Sequence, residues 1–165
     1  MVEAIAAAVP GQLRKVQIER ARRKPTDSPT AYDYALRGEW LLRADWNDPE
    51  AFAMLGKAAE IDPQYAHAHA RLGVIHYNRA LSLGNAFDEA SLTSQSYMGR
   101  ALALDEDDSF VQRQAGTFYP LMGQHDPAKY HSERAIALNP NNVEAIIGHA
   151  LLLAFLGYRK AGLDV

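Results

Sequence analysis

Lys57-Ala58-Ala59-Glu60-Ile61-Asp62-Pro63, Arg100-Ala101-Leu102-Ala103-Leu104-Asp105-Glu106 and Arg134-Ala135-Ile136-Ala137-Leu138-Asn139-Pro140 are three versions of one phrase. Asp105 and Asn139 lie 34 residues apart, and Asp62 and Asp105 lie 43 apart, nine more. A second series keeps the same phase. Gly73 to Gly116 is 43 residues, and Gly116 to Ala150 and Gly123 to Gly157 are each 34. Self-similarity at a fixed period of this size marks a repeat architecture, in which each unit needs its neighbours to bury its apolar face.

The chemistry of one unit is that of two helices joined by a turn. Gly73 and Gly116 interrupt helical patterns, where glycine costs about 1 kcal/mol against alanine. Their recurrence predicts close helix approach, with Ala58, Ala101 and Ala135 serving the same purpose on the second helix. Gly123 and Gly157 suit the left-handed residue that ends a first helix. Asp48-Pro49 and Asp126-Pro127 read as an N-cap followed by the first helical residue. Asp62-Pro63 and Asn139-Pro140 close second helices, because a residue before proline is pushed out of the helical region. Pro120, in the last turn of a first helix, predicts a local kink.

Leu72-Gly73, then Gly116 with Tyr119 and Gly123, then Ala128, Ala135 and Pro140 together resemble the tetratricopeptide (TPR) pattern. The resemblance covers residues 31–165 and implies an all-α fold, a right-handed superhelix of antiparallel helix pairs. Units are expected at 31–65, 66–108, 109–142 and, truncated, 143–165. The nine extra residues of the second unit are expected to lengthen both its helices around Leu81 to Phe87. Before the array, residues 1–24 read as a basic helical lead-in and 25–30 as a linker. Helices are expected at 2–9, 11–24, 30–44, 49–61, 65–83, 86–104, 109–122, 127–138 and 142–156, with a fragment from 158. The segments Ile5 to Pro10, Leu13-Arg14, Ile18 to Pro25 and Ala31 to Gly38 further resemble the junction that links an upstream domain to TPR repeats in bacterial adenylate/guanylate cyclase-like signalling proteins.

Composition narrows the function. Apolar residues make up 48% of the chain, enough for a core, and cysteine is absent, which removes disulfides, thiolate zinc sites and thiol catalysis. Residues 1–24 carry six basic and two acidic side chains, leaving +4; the remainder carries eleven and eighteen, leaving −7. An acidic body does not suit nucleic acid, whose phosphates need clustered Lys and Arg. No apolar run reaches the roughly 18 residues of a membrane span. Met1 to Pro10 lacks the basic leader of a signal peptide, and the cytoplasm is the expected compartment.

No phosphate loop, G-x-S-x-G elbow or H-E-x-x-H is present, so no enzyme activity, cofactor or metal is expected. His69 and His76 share a helical face, but a zinc site would want a closer pair with a carboxylate, and packing is the plainer role. His125, His131 and His149 are scattered. The acidic run Asp105-Glu106-Asp107-Asp108 sits before a helix start, where negative charge is favoured. The basic helix 14–24 lacks interleaved aromatic residues for base stacking.

The TPR resemblance implies a protein or peptide ligand held on the first helices. Carried over residue by residue, it points to His67, Ala70, Val74, Tyr77 and Asn78, then Phe110, Arg113 and Thr117, then Glu144, Ile147 and Leu151. That set lacks the dense Lys/Arg cluster of a carboxylate clamp, so an extended or helical peptide with mixed contacts is expected. The truncated last unit should leave Ile146, Leu152, Leu153, Phe155 and Leu156 partly uncovered, which favours self-association or a cover by the N-terminal helix. The resemblance implies a signalling context. Alternatives are the regulatory part of a nucleotide cyclase or of a transcriptional regulator whose active domain lies elsewhere.

Overall fold

The computed structural model describes residues 26–83 and 87–163. The expected lead-in at 1–24, with its helices 2–9 and 11–24, lies outside the described residues. Among those described there are seven helices and no strand: α1 Pro29–Ala44, α2 Pro49–Ile61, α3 Ala66–Leu83, α4 Phe87–Leu104, α5 Ser109–Leu121, α6 His125–Leu138 and α7 Val143–Leu163. Helix α1 pairs with α2, α3 with α4 and α5 with α6. The pairs stack through α2 on α3, α3 on α5 and α7 on both α5 and α6. The chain is an all-helical solenoid of stacked hairpins.

One turn chemistry, used four times, sets the helix boundaries. The carboxylate or amide oxygens of Asp45, Asp62, Asp105 and Asn139 each accept from the backbone amide two residues on, at 2.9–3.3 Å. Such Asx turns let a short polar side chain replace helical hydrogen bonds. Asp48 then caps α2 through the Glu50 and Ala51 amides, Asp108 caps α5 through Phe110 and Val111, and Asn142 caps α7 through Ala145. Ser28 does the same for α1 and is itself held by Thr26, whose hydroxyl donates to the Asp62 carboxylate.

Three glycines fix the spacing within the hairpins. A Cβ on Gly73 would lie 3.2 Å from both the Met98 amide and the Ser94 carbonyl of α4. On Gly116 it would meet the backbone and Cβ of Ser132 in α6 at 3.1 Å. Gly38 stands equally close to Leu55 and Ala51 of α2, at 2.8 and 3.1 Å. Between them lies a core rich in fully buried alanines: Ala31, Ala51, Ala58, Ala68, Ala70, Ala101, Ala115, Ala128 and Ala135. Leu55, Leu72 and Tyr65 fill the first interface, and Val74, Tyr77, Met98 and Phe118 fill the second.

The nine extra residues of the second unit are taken up in helix length. Helix α3 has 18 residues against 13 in α5, and α4 has 18 against 14 in α6. Pro120 does not stop α5, which runs on to Leu121 before Gly123 takes φ +70°. Tyr77 donates to the Leu121 carbonyl at 2.5 Å, satisfying one acceptor that the helix end leaves open.

Two expectations for helix ends fail. Helix α6 begins at His125 with Gln124 as N-cap, so Asp126-Pro127 lies inside its first turn. A proline is tolerated there because the first amides have no partner within the helix. Gly157 does not end a helix, and α7 continues to Leu163. Helix continuation there leaves fewer backbone groups unpaired than a turn would. Ile146, Leu153 and Phe155 are exposed on α7 as expected, with Ile147 and Leu151, whereas Leu152 is buried. At the other end, Trp40 on α1 and Trp46 in the following turn are exposed.

The glycine contacts give a paired test. Gly116→Ala adds about 1 kcal/mol of helix propensity but overpacks rigid backbone, which costs about 1–3 kcal/mol. It should lower the denaturation midpoint. Gly99→Ala in α4, with nothing within 4 Å of its added carbon, should raise the midpoint. Equal responses would contradict the close-approach role.

Candidate functional site

A groove of about 510 Å³ runs across the first helix of each pair and onto α7. Leu36, Glu39 and Arg43 come from α1, Arg71 from α3, Phe110, Arg113 and Thr117 from α5, and Glu144, Ile147 and Leu151 from α7. A smaller hollow of about 240 Å³ adjoins it, walled by Tyr32, Leu36, Tyr65, His67 and Phe110. Leu36, Glu39 and Phe110 line both.

Two arginines form the polar centre. The Arg71 Nη2 donates to Glu39 Oε2 at 2.9 Å, while its Nε lies 2.8 Å from the other oxygen, off the line of the N–H. Its Nη1 reaches the Oε1 of the buried Gln114 at 3.4 Å. Arg113 lies over the Phe110 ring, 5.0 Å from its centre, and its Nη2 stands 3.1 Å from Glu144. The Arg113 Nε is buried without an acceptor. Burial pushes the Arg113 pKa below the usual arginine value, and the nearby Arg71 adds to this, against the opposing pull of Glu144. Arg43 has no ion-pair partner among the described residues and is exposed.

An aromatic column forms one wall. His67 stacks on Phe110 at 4.3 Å and on Tyr65 at 5.7 Å. Its Nε2 sits 2.9 Å from Asp108, the residue that caps α5. Burial alone would raise the Asp108 carboxyl, but hydrogen bonds from His67 and the Val111 and Phe110 amides win and hold it below the usual range. Asp108 thus ties the wall to the helix start, while Asp107 pairs with Arg134. The acidic run is a cap and a clasp.

The residues carried over from the repeat pattern divide. Phe110, Arg113, Thr117, Glu144, Ile147 and Leu151 share the main groove, and His67 lines the adjoining hollow. Ala70, Val74 and Tyr77, contrary to expectation, are buried and do not line the groove. Helix α3 lies between two hairpins, so the face that is open on α5 is covered on α3 by Val111, Ala115 and Phe118. Asn78 is half-buried on the same helix and lines neither space. Leu36, Glu39, Arg43 and Arg71 were missed by the pattern. Aligning Gly38 with Gly73 and Gly116 would have found the α1 residues, since Glu39 follows Gly38 directly, as Thr117 follows Gly116.

The remaining histidines pack. His76 stacks on Tyr97 and meets Phe52 edge-on, and His69 donates to the Pro63 carbonyl at 3.0 Å. His131 donates to buried Gln112, whose amide reaches the Glu106 carbonyl. Ser132 and His149 are 2.8 Å apart. The Ser132 hydroxyl also lies 2.9 Å from the Lys129 carbonyl, to which it donates. The pair tethers α6 to α7. Among the described residues, no group of three or more His, Asp or Glu could hold a metal ion, and no helix is long and apolar enough to cross a membrane.

Comparison with solved structures places the fold. The first TPR domain of Spaghetti (RPAP3), bound to the HSP90 peptide SRMEEVD, superposes with a TM-score of 0.56 at 20% identity, over 80% of this chain and 97% of that one. The chain therefore has the TPR fold. No family profile and no curated protein sequence matches it.

Three imidazoles, the buried His69 and the half-buried His76 and His131, predict acid sensitivity. Burial lowers the pKa of His69, with Arg100 adding to this against the Pro63 hydrogen bond; burial with Arg79 lowers His76, and burial with Arg134 lowers His131. Each is depressed below 6.5, so the unfolded chain takes up these protons first. Their contribution is complete above that value and is lost as pH falls below it. The urea midpoint should drop between about pH 7 and about pH 5, and replacing His76 by Phe should reduce the drop.

Proposed function

We propose that this chain is a protein-interaction module that holds a peptide segment, extended or helical, in the groove across α1, α3, α5 and α7. The observation that carries the reading is the groove itself: apolar Leu36, Phe110, Ile147 and Leu151 stand beside Arg43, Arg71 and Arg113 in one continuous cleft. Such a mixture of apolar walls and a few fixed polar groups suits recognition. The similarly folded TPR domain carries a bound peptide, which supports the same use here.

The phrasing of residues 5–38 favours a bacterial signalling setting, with this array as the regulatory or scaffolding part of a cyclase-like protein and the active domain on another segment. Self-association is included in the proposal. Ile146 and Leu153 on one side of α7, and Phe155 on the other, are exposed apolar residues suited to contact with a second copy.

Two measurements test the reading. With a bound peptide in hand, Phe110→Ala, Arg113→Ala and Leu151→Ala should each weaken binding by about tenfold while helix content stays constant, whereas Trp46→Ala should have no effect. Equal binding by all four variants would move the ligand elsewhere. Light scattering should show a concentration-dependent dimer that Phe155→Asp returns to monomer. A monomer at all concentrations would remove the self-association.

A further inference from the structure

The two arginines of the groove are held differently. Arg71 and Glu39 are both shielded, with side chains 22% and 29% exposed, and two nitrogens face two oxygens. Arg113 is more deeply set at 18%, yet its counter-ion Glu144 is 67% exposed and meets it through a single nitrogen. Neither Nε has an acceptor in line with its N–H, but that of Arg71 lies 2.8 Å from a Glu39 oxygen. One partner has given up its water and the other has not. A half-desolvated guanidinium gains most from a carboxylate that arrives with apolar neighbours and excludes solvent. An exposed single contact loses little when broken.

Charge around the pair agrees with an incoming anion. Arg43, Arg71 and Arg113 face the groove with Glu39 and Glu144, a local excess of one positive charge on a body of net charge −7. Glu144 is in the first turn of α7, where the helix dipole favours negative charge and keeps the carboxylate in place when Arg113 lets go. Apolar side chains flank the spot on both sides, Phe110 beneath Arg113 and Ile147 and Leu151 one and two turns along α7 from Glu144.

We infer that the groove takes a peptide bearing an acidic side chain beside a large apolar one, and that this acid displaces Glu144 from Arg113. Glu144 is then a resident competitor. It keeps the guanidinium paired in the empty groove and sets a threshold that neutral peptides do not overcome. This inference rests on the groove being the peptide site.

The test uses the whole chain and a phage-displayed random-peptide library. Selected peptides should carry Asp or Glu next to Leu, Ile, Met or Phe. A synthetic selected peptide and its Glu→Gln or Asp→Asn version are then titrated by fluorescence anisotropy. The amide version should bind about tenfold or more weakly. Glu144→Gln should tighten the acidic peptide by about two- to fivefold and leave the amide version unchanged. Arg113→Gln, checked for folding by circular dichroism, should abolish the difference between the two peptides. Tightening of both peptides alike would mean that Glu144 obstructs by size, and would overturn the exchange. Selection of peptides without acids, still weakened by Leu151→Ala, would leave the groove reading intact and overturn the acidic ligand. Selection of no peptide that depends on groove residues would remove both.

Discussion

At Gly116 the backbone of α5 comes so near Ser132 of α6 that a single methyl group would collide, and the same holds where Gly73 meets Ser94 and Met98 and where Gly38 meets Leu55. Everything else is arranged around that contact distance. Side chains of alanine size fill the narrow space inside each hairpin, and larger ones are displaced to the surfaces between hairpins. Leu55 with Leu72, and Met98 with Phe118, are therefore the residues that hold one unit to the next. The array gains its apolar burial from neighbours, as quasi-one-dimensional folds must.

The groove follows from the same geometry. Because the first helices stack on one another, residues near equivalent positions of α1, α3, α5 and α7 face a common cleft, and a side chain's depth depends on its place in the stack. Interior α3 contributes Arg71, held on both sides by Glu39 and Gln114, while the end helix α7 contributes Glu144, held by little. One side of the binding surface is thus tightly organised and the other loosely, with Glu39 shielded and Glu144 open to water.

Much of this was legible in the sequence. The phrase ending in Asp62, Asp105 and Asn139 placed the second helices and their closing turns, because an Asx turn needs a particular residue type at a particular point. The glycine series placed the close contacts, and the nine-residue excess appeared as longer helices. The groove was legible only in part. Phe110, Arg113, Glu144, Ile147 and Leu151 follow the period, but Ala70 and Val74, at positions equivalent to Arg113 and Thr117, are buried, and so is Tyr77. Periodicity gives the angle of a side chain around its helix; it does not give how far the next hairpin reaches over it. Arg71 was missed for the same reason, since it is the immediate neighbour of Ala70. The continuation of α7 past Gly157 was also beyond the pattern, which records where a turn occurs when a second helix packs back.

The chain's two tryptophans, Trp40 and Trp46, both belong to the first hairpin and both are exposed. Intrinsic fluorescence is therefore an optical label for one end of the stack, whereas far-ultraviolet ellipticity averages over every helix. In a solenoid, neighbouring units need not melt together. Any separation between the two signals during heating would measure how strongly the first hairpin is coupled to the rest, without a dye or an added residue.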